Sequence, residues 1–402
     1  MSKFCKWTRV LCACGLLPML ANAAHDHEIV GDTVFNLHGF ITQGYFVSDD
    51  NNVSGDSESG SLDFREIALN SSWSPAQNWL LSAQLMSRRM GEVDDGNLRV
   101  DFAQVDYRFF DHTSGFLGAR LGRVKIPYGI YNDTRDVAFT RPSIMLPQSI
   151  YQEGTRNLLL SADGLMLYGS HGFSQGIIDS ELLAGYLVVD TELEQALIGF
   201  DAPGKLDDSP AAFWRVMYKS YDQTVQYGLT LAHAKVRYDS VGAGDLFPAD
   251  GEIAVDQAVL SYQYNWQRWA FTSEYLFRES EVRGFGGIFD SQKPNMGDAV
   301  YGQLEYRVSP KVSLFVRREL GYANKHDRNG KQAAAESGMP AHRGYLRDWT
   351  LGAGWQPAMH WLLRAELHHL KGTMGLSPLD NPDSSELEQN WNLFILQATY
   401  RF

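Results

Sequence analysis

One stretch of the chain, residues 117–151, gathers charged groups that could act together on an ion. It also contains three prolines and apolar residues such as Ile130, Ile144 and Leu146, which a loop in free solvent would not need. Unlike charges facing each other across a narrow opening create a transverse field, and a net basic ring favours anions. The candidate residues are Arg123, Lys125, Tyr128, Asp133, Arg135, Asp136 and Arg141.

A plainer interpretation of these charges stays open. Asp133, Arg135 and Asp136 could pair with one another and only brace the segment, because ionic networks often have a purely structural role. The apolar residues of the stretch favour packing against a surface rather than exposure to water.

A second set of charges recurs at alternate positions of segments in which apolar and polar residues alternate. In a strand, such positions share one face. Arginine predominates on this face, although the chain carries a net charge of −13. The candidates are Arg88, Arg108, Arg120, Arg268, Arg278, Glu305, Arg307, Arg317 and Arg364. The alternative is that arginine and glutamate pairs on neighbouring strands only hold a sheet together.

The best catalytic candidate is the pair His368 and His369 beside Glu366. Neighbouring residues of a strand point to opposite faces, so at most one histidine can join the glutamate. No serine motif accompanies them, and hydrolysis needs a nucleophile next to its base. We therefore expect no enzyme activity, no cofactor and no metal site.

The elements that must position these charges are strands. In residues 391–402, Phe394, Leu396 and Tyr400 alternate with Ile395 and Gln397, and the chain ends on an aromatic residue. Alternation with period two indicates a strand with one apolar and one mixed face. Sixteen such segments are predicted, and counts of fourteen or eighteen also fit. They are 33–48, 62–73, 78–88, 97–110, 116–125, 160–170, 178–189, 212–221, 224–237, 254–266, 267–279, 298–308, 311–323, 346–356, 360–371 and 391–402.

Short and long connections alternate between these strands, and both termini then lie at the same end. This pattern is typical of a transmembrane β-barrel. No apolar run after residue 23 is long enough for a spanning helix, and a closed barrel is the other way to satisfy a backbone in lipid. Acidic residues crowd into the long connections instead of the strands. They include Asp49, Asp50, Asp56, Glu58, Asp190, Glu192, Glu194, Asp380, Asp383, Glu386 and Glu388.

Residues 1–23 have the composition of a secretory signal peptide. Lys3, Lys6 and Arg9 precede an apolar run, and Ala21-Asn22-Ala23 provides small residues for cleavage. All three cysteines lie in this segment, so the mature chain uses no disulfide and no thiolate metal site. Removing the segment moves the net charge from −13 to −16, which argues against nucleic acid as a partner. Residues 24–402 are predicted to form a single barrel domain.

Residues 122–151 and the C-terminal strand resemble the corresponding parts of sixteen-stranded outer-membrane porins of Gram-negative bacteria, of the general or the anion- or phosphate-selective kind. The architecture of the whole mature chain is similar to theirs. This resemblance implies an all-β barrel whose third loop folds inward and narrows the lumen. It also implies a homotrimer in contact with outer-membrane lipid and lipopolysaccharide.

The resemblance leads us to expect passive diffusion of small hydrophilic solutes or ions, with a mild preference for anions. Two alternatives remain. One is a substrate-specific channel for phosphate, sugars or aromatic acids. The other is a surface adhesin or receptor that uses its acidic loops and has a plugged lumen.

Overall fold

The computed structural model of the protein describes residues 29–30, 33–189, 194, 204–207, 209–242, 249–286, 290–291 and 293–402. The predicted signal peptide and the acidic residues Asp190 and Glu192 lie outside this part of the chain. Within it, sixteen antiparallel strands form one closed barrel. They are β1 Thr33–Ser48, β2 Ser61–Ala76, β3 Trp79–Met90, β4 Asp94–His112, β5 Gly115–Lys125, β6 Ser161–Gly172, β7 Gly176–Leu187, β8 Ser209–Ser220, β9 Val225–Asp239, β10 Gly251–Trp266, β11 Trp269–Arg283, β12 Asn295–Ser309, β13 Val312–Tyr322, β14 Tyr345–Ala358, β15 Trp361–Lys371 and β16 Asn390–Arg401.

Each strand pairs with its neighbours in chain order, and β16 closes the barrel by pairing with β1. The predicted fold class and strand count are confirmed, and each predicted strand overlaps one observed strand. Two short strands add to the sheet: Ile29–Val30 pairs with β1, and Lys205–Asp207 pairs with the end of β9. In the described residues no helix is long and apolar enough to cross a membrane.

Alternation of side chains explains the two faces of the wall. On β11, Phe271 and Tyr275 are exposed on the outside, whereas Thr272 and Glu274 are buried on the inside. Large apolar residues cover much of the outer face, and a soluble protein rarely exposes so much contiguous apolar surface. Near the short turns, the Trp79 ring lies 4.5 Å from Tyr107, as in the aromatic girdles that mark a membrane interface.

Connections divide the barrel into a turn end and a loop end. The turn end carries short turns such as 77–78 and 267–268, and the loop end carries the long connections. Three of these are named here: L1 (49–60), L3 (126–160) and L8 (372–389). Helical segments lie only in connections of the described chain: 3₁₀-helices Asn132–Thr134, Ala138–Thr140 and Ala341–Gly344, and α-helices α1 Asn157–Leu160 and α2 Lys331–Ser337.

One lumen prediction fails for a local reason. Trp266 pairs directly with Trp269, so residues 267–268 form a two-residue turn in which Gln267 has a φ of 54°. Arg268 therefore lies at the turn end, where it donates to the Val308 carbonyl at 3.4 Å. It is not part of the inner wall.

Candidate functional site in the barrel lumen

The interior of the barrel is occupied largely by L3. Its residues Ile126, Tyr128 and Tyr151 are fully buried and pack in one apolar cluster with Leu183 of β7 and Val259 of β10. Hydrogen bonds from L3 to β8, β11, β13 and β15 place the loop inside the wall. Its apolar residues are explained by this packing, because their burial removes apolar surface from water.

One side of L3 meets β2, β3 and β4 through buried ion pairs. Arg88 of β3 lies at the centre, 3.1 Å from Glu66, 3.4 Å from Asp94 and 2.7 Å from Glu153 of L3. A guanidinium has five N–H donors in a planar fork, so one arginine can serve several carboxylates. Arg88 thus joins two strands of the wall to the loop.

Further charges of L3 extend this arrangement. Arg135 lies 2.9 Å from Glu153, and Arg156 pairs with Asp136. Lys125, at the end of β5, lies 2.5 Å from both Asp101 and Asp136. We call this set the ionic cluster. Its members are Glu66, Arg88, Asp94, Asp101, Lys125, Arg135, Asp136, Glu153 and Arg156.

The pKa of Glu153 shows how burial and charge balance in the ionic cluster. Burial alone would raise the pKa of this carboxyl, but the guanidinium groups of Arg88 and Arg135 outweigh burial and hold the pKa below its ordinary value. Glu153 is therefore ionised at neutral pH, and the cluster is held by charge.

The other side of L3 meets β13 and β15 in a different way. Glu366 accepts hydrogen bonds from the backbone N–H groups of Ile144 and, at 3.2 Å, Met145. Arg364 donates to the carbonyl of Ser143 at 3.1 Å and to two further carbonyls of the loop. On β13, Arg317 and Glu319 likewise bond the loop backbone. We call Arg317, Glu319, Arg364 and Glu366 the backbone clamp.

His368 supports the backbone clamp, and the Thr350 hydroxyl lies 3.2 Å from its Nδ1. Its ring nitrogens lie 2.8 Å from Asp348 and 3.2 Å from Glu366. His369 points to the opposite face, where it lies 2.8 Å from Asn392. Only one of the two histidines joins Glu366, as strand alternation predicts, and its position between two carboxylates holds Glu366 in place.

A third contact joins L3 to β11. Glu274 accepts from the Tyr151 hydroxyl at 2.5 Å and from the backbone N–H of Ile130 at 3.0 Å. The Tyr301 hydroxyl donates to the same carboxylate at 2.8 Å. Burial and the nearby Glu274 raise the pKa of Tyr151 well above its ordinary value. Its hydroxyl therefore keeps its proton and acts as a donor.

A cavity of about 780 Å³ opens below L3 at the turn end. Arg120 lies in its wall, 2.9 Å from Asp106 and over the ring of Tyr168. Its deep end is formed by Arg215 of β8, which pairs with Glu181 and lies 2.5 Å from Asp133 of L3. Five carboxylates and four cations line this space, so its charges nearly balance, with one more negative than positive group.

The predicted loop charges separate into distinct environments. Lys125, Arg135 and Asp136 join the ionic cluster, whereas Asp133 lies across the loop against Arg215. None of Asp133, Arg135 and Asp136 forms an ion pair with another of the three. The alternative in which these three residues brace the loop by pairing with one another is therefore wrong, because each of them pairs with a residue outside this set. Arg141 is buried and donates to the carbonyls of Ser143 and Ile144.

The structure corrects the prediction that Arg123 lies in the lumen. Its strand neighbour Leu121 is 62% exposed on the outer face, while Val124 is buried on the inner face. Arg123 shares the outer face with Leu121, and it pairs there with Asp163 of β6 at 2.8 Å. It cannot contribute to an opening inside the barrel, because alternation directs it away from the lumen.

The remaining predicted wall charges face the interior. They are Arg88, Arg108, Arg120, Arg278, Glu305, Arg307, Arg317 and Arg364, all at inward positions of their strands. Sequence reasoning missed Asp101, because a register shift at Gln84/Leu85 breaks the alternation of β4 beside it. It also missed Arg215. The sequence does contain a signal for it, because Phe213 and Met217 lie two residues to either side and therefore share its face of the strand.

Comparison with known proteins returns no matching family model and no matching curated protein. Solved outer-membrane proteins have a similar fold. The trimer form of OmpT, an outer membrane protein of Vibrio cholerae, is 12% identical with a TM-score of 0.57, covering 92% of this chain and 99% of that one. An anion-selective porin from Comamonas acidovorans is 12% identical, with a TM-score of 0.56 and coverage of 92% and 100%. The outer membrane channel DcaP of Acinetobacter baumannii is 11% identical, with a TM-score of 0.56 and coverage of 94% and 100%. At this level of identity, the likeness shows that the chain has the porin fold.

Proposed function

We propose that this protein is an outer-membrane channel through which small hydrophilic solutes or ions diffuse passively. The observation that carries the proposal is a closed barrel with an apolar outer face and a charged interior. Such a wall separates lipid from an aqueous path. L3 sets the width of this path, and the cavity at the turn end is its wider part. The porin fold supports the same function.

A mild preference for anions is part of the proposal. Arg141, Arg278, Arg307 and Arg364 face the interior and make no ion pair with a carboxylate in the described structure. On the acidic side, Glu274 and Glu305 face the interior without a cationic partner within 4.0 Å among the described residues. An excess of uncompensated cations lowers the free energy of an anion in the lumen.

The proposal includes the cellular setting. Residues 1–23 direct export, and the mature barrel resides in the outer membrane among lipid and lipopolysaccharide as a homotrimer. The trimer form of the Vibrio protein supports the assembly. The chain acts as a channel and not as an enzyme.

A plugged barrel with a role as receptor or adhesin is the second candidate. It is favoured by the hydrogen bonds that tie L3 to β8, β11, β13 and β15 at once. A loop held from so many directions leaves less room for a continuous path.

Planar-bilayer recording of the purified mature protein separates the two candidates. A channel gives stable conductance steps, and in a salt gradient the reversal potential shifts toward that of chloride. Arg307→Gln should reduce this shift, because it removes one uncompensated cation from the lumen. Silence of the wild-type protein would overturn the channel, and a clear preference for cations would overturn the selectivity.

A further inference from the structure

One row of inward-facing positions near the loop end of the barrel has unused hydrogen-bonding capacity. Ala232 of β9, Gln257 of β10 and Arg278 of β11 lie side by side in register. The adjacent row toward the turn end is Thr230, Val259 and Leu276, which are all buried. Residues two apart in a strand share a face, so Gln257 and Arg278 point into the barrel directly beside these positions.

Tyr128 of L3 reaches the same place. The N–H of the following residue, Gly129, donates to the Thr230 hydroxyl at 3.2 Å, which fixes the height of the loop. The Tyr128 ring is fully buried edge-on against Tyr151, with the two ring centres 6.2 Å apart. Tyr128 belongs to the same buried cluster as Val259 and Leu276, the inward-facing neighbours of Gln257 and Arg278 on their strands. Burial and Glu274 together raise the pKa of Tyr128 above its ordinary value, so the hydroxyl keeps its proton.

All three polar side chains lack partners. The Tyr128 hydroxyl and the Gln257 Oε1 are buried and form no hydrogen bond. Arg278 forms no ion pair or side-chain hydrogen bond in the described part of the chain. Buried polar groups in native proteins are normally paired, so a buried group without a partner needs an explanation, which a ligand from the lumen would supply. Arg278 and Gln257 are only partly buried, so a solute can reach them.

We propose that Arg278, Tyr128 and Gln257 form a binding site for the carboxylate of a small organic anion that passes through the lumen. The guanidinium fork of Arg278 matches the two carboxylate oxygens. The Tyr128 hydroxyl donates to the same oxygens, and so do the Gln257 amide N–H groups once the amide is turned over about its terminal bond, which exchanges its oxygen and nitrogen without changing its shape. Ala232, which lies beside Gln257 in register and is only partly buried, supplies an apolar surface for the rest of the solute, which inorganic phosphate would not use. This inference rests on the proposed channel function and names the class of solute.

Binding is measured directly by calorimetry, with benzoate as the probe and the folded protein in detergent. We expect saturable binding to the wild-type protein. Arg278→Gln should weaken it about tenfold or more, because a charge-assisted bidentate contact is lost. Arg278→Lys keeps the charge but not the fork, so it should restore only part of the affinity. Tyr128→Phe should weaken binding about threefold to tenfold, as expected for one neutral hydrogen bond.

Arg307→Gln is the matched control, since it removes one inward arginine at a different place on the wall. It should leave the affinity for benzoate within about twofold, because affinity depends on the local contacts rather than on total charge. Equal losses in Arg278→Gln and Arg307→Gln would overturn the site and leave only a general field. Tighter binding of phosphate than of benzoate would overturn the carboxylate assignment. Retention of the folded, heat-modifiable band on gels shows that a variant is folded.

The binding measurement does not depend on conduction, so failure of the site can be told apart from failure of the channel function. If the wild-type protein binds benzoate but shows no conductance, the site stands and the channel function fails. If it conducts but Arg278→Gln binds benzoate as tightly as the wild type does, the channel stands and the site fails.

Discussion

The two sides of L3 are held by different chemistry. Toward β2–β4, the ionic cluster joins side chain to side chain, with Arg88 shared among three carboxylates. Toward β13 and β15, the backbone clamp joins wall side chains to the main chain of the loop, as Glu366 does at Ile144 and Met145. The first contact depends on the identity of the loop residues, and the second depends only on the path of the loop.

A loop that narrows a lumen must have a suitable sequence and must be held in a fixed position, and the two contacts meet these requirements separately. The ionic cluster selects a particular loop sequence, because a missing partner leaves a buried charge uncompensated. The backbone clamp fixes the position of segment 138–149 whatever its side chains are, because every residue except proline offers the same N–H and C=O groups.

The largest effect is expected from Arg88→Met. Glu66, Asp94 and Glu153 would lose a shared cation, and breaking a buried ionic network by removing one partner costs about 3–5 kcal/mol of stability. We expect a lower free energy of unfolding in urea and a larger, noisier single-channel conductance as this side of L3 is released. The neighbouring residue Arg89 is the control: it pairs with Asp63 on the outer face, and Arg89→Gln should change neither quantity appreciably. Equal effects in the two variants would contradict the importance of the ionic cluster.

A smaller effect is expected from Glu366→Gln. The amide that replaces the carboxylate can accept through only one oxygen, so one buried donor is left unsatisfied at a cost of about 1–3 kcal/mol. Hydrogen exchange of the backbone amides of Ile144 and Met145 should become faster, with little change at Glu153. Glu305→Gln changes another inward carboxyl, one that makes no hydrogen bond to L3 in the described structure, and should leave these amides protected. Faster exchange throughout L3 would show that the two sides are not independent.

A carboxyl group that accepts from a backbone N–H, as in the backbone clamp, is also found in L8. Its effect on the loop can be tested by changing the pH. Asp380 of L8 accepts from the backbone N–H of Glu92 at 2.9 Å. Burial, together with the charges of Glu92 and Asp63, raises the pKa of Asp380 to about 6, against the opposing effect of the hydrogen bonds from the backbone N–H groups of Glu92 and Gly55. A carboxyl whose pKa is raised on folding stabilises the packed loop fully below its ordinary pKa, and this contribution is lost as pH rises through about 6.

We therefore expect hydrogen exchange in L8 to be slower at about pH 4.5 than at about pH 8, after correction for the intrinsic rate. Asp380→Asn keeps an acceptor for Glu92 and cannot ionise, so its exchange should be slow at both values. A pH dependence that survives in this variant would assign the effect to another group.

The smallest effect is expected at the ion pair of Arg123 and Asp163. It has the same chemistry as the ionic cluster, but Asp163 is 54% exposed on the outer face. Exposed pairs contribute about 0–1 kcal/mol, so Arg123→Gln should change stability little and leave the reversal potential unchanged. A shift in ion selectivity would return Arg123 to the lumen and contradict the assignment of the outer face.

The sequence by itself determined the strands and which way most of their side chains point. Period two is a local property, so Glu305, Arg307 and Arg317 could be assigned to one face without knowledge of their neighbours. The same local rule failed where geometry departs from a regular strand. Arg268 falls in a two-residue turn, and Asp101 lies within a register shift that places it on the inner face.

Only the tertiary structure decided which charges meet. Arg88 and Glu153 are 65 residues apart, and Arg215 and Asp133 are 82 apart. Their pairing depends on the closure of the barrel and on the path of L3 across it. The sequence placed Arg123 with Lys125 because the two are close in the chain. In the fold Arg123 pairs with Asp163 on the outer face, whereas Lys125, the last residue of β5, reaches Asp101 and Asp136 beside L3. Proximity along the chain does not determine pairing where a strand ends and the chain turns into the barrel.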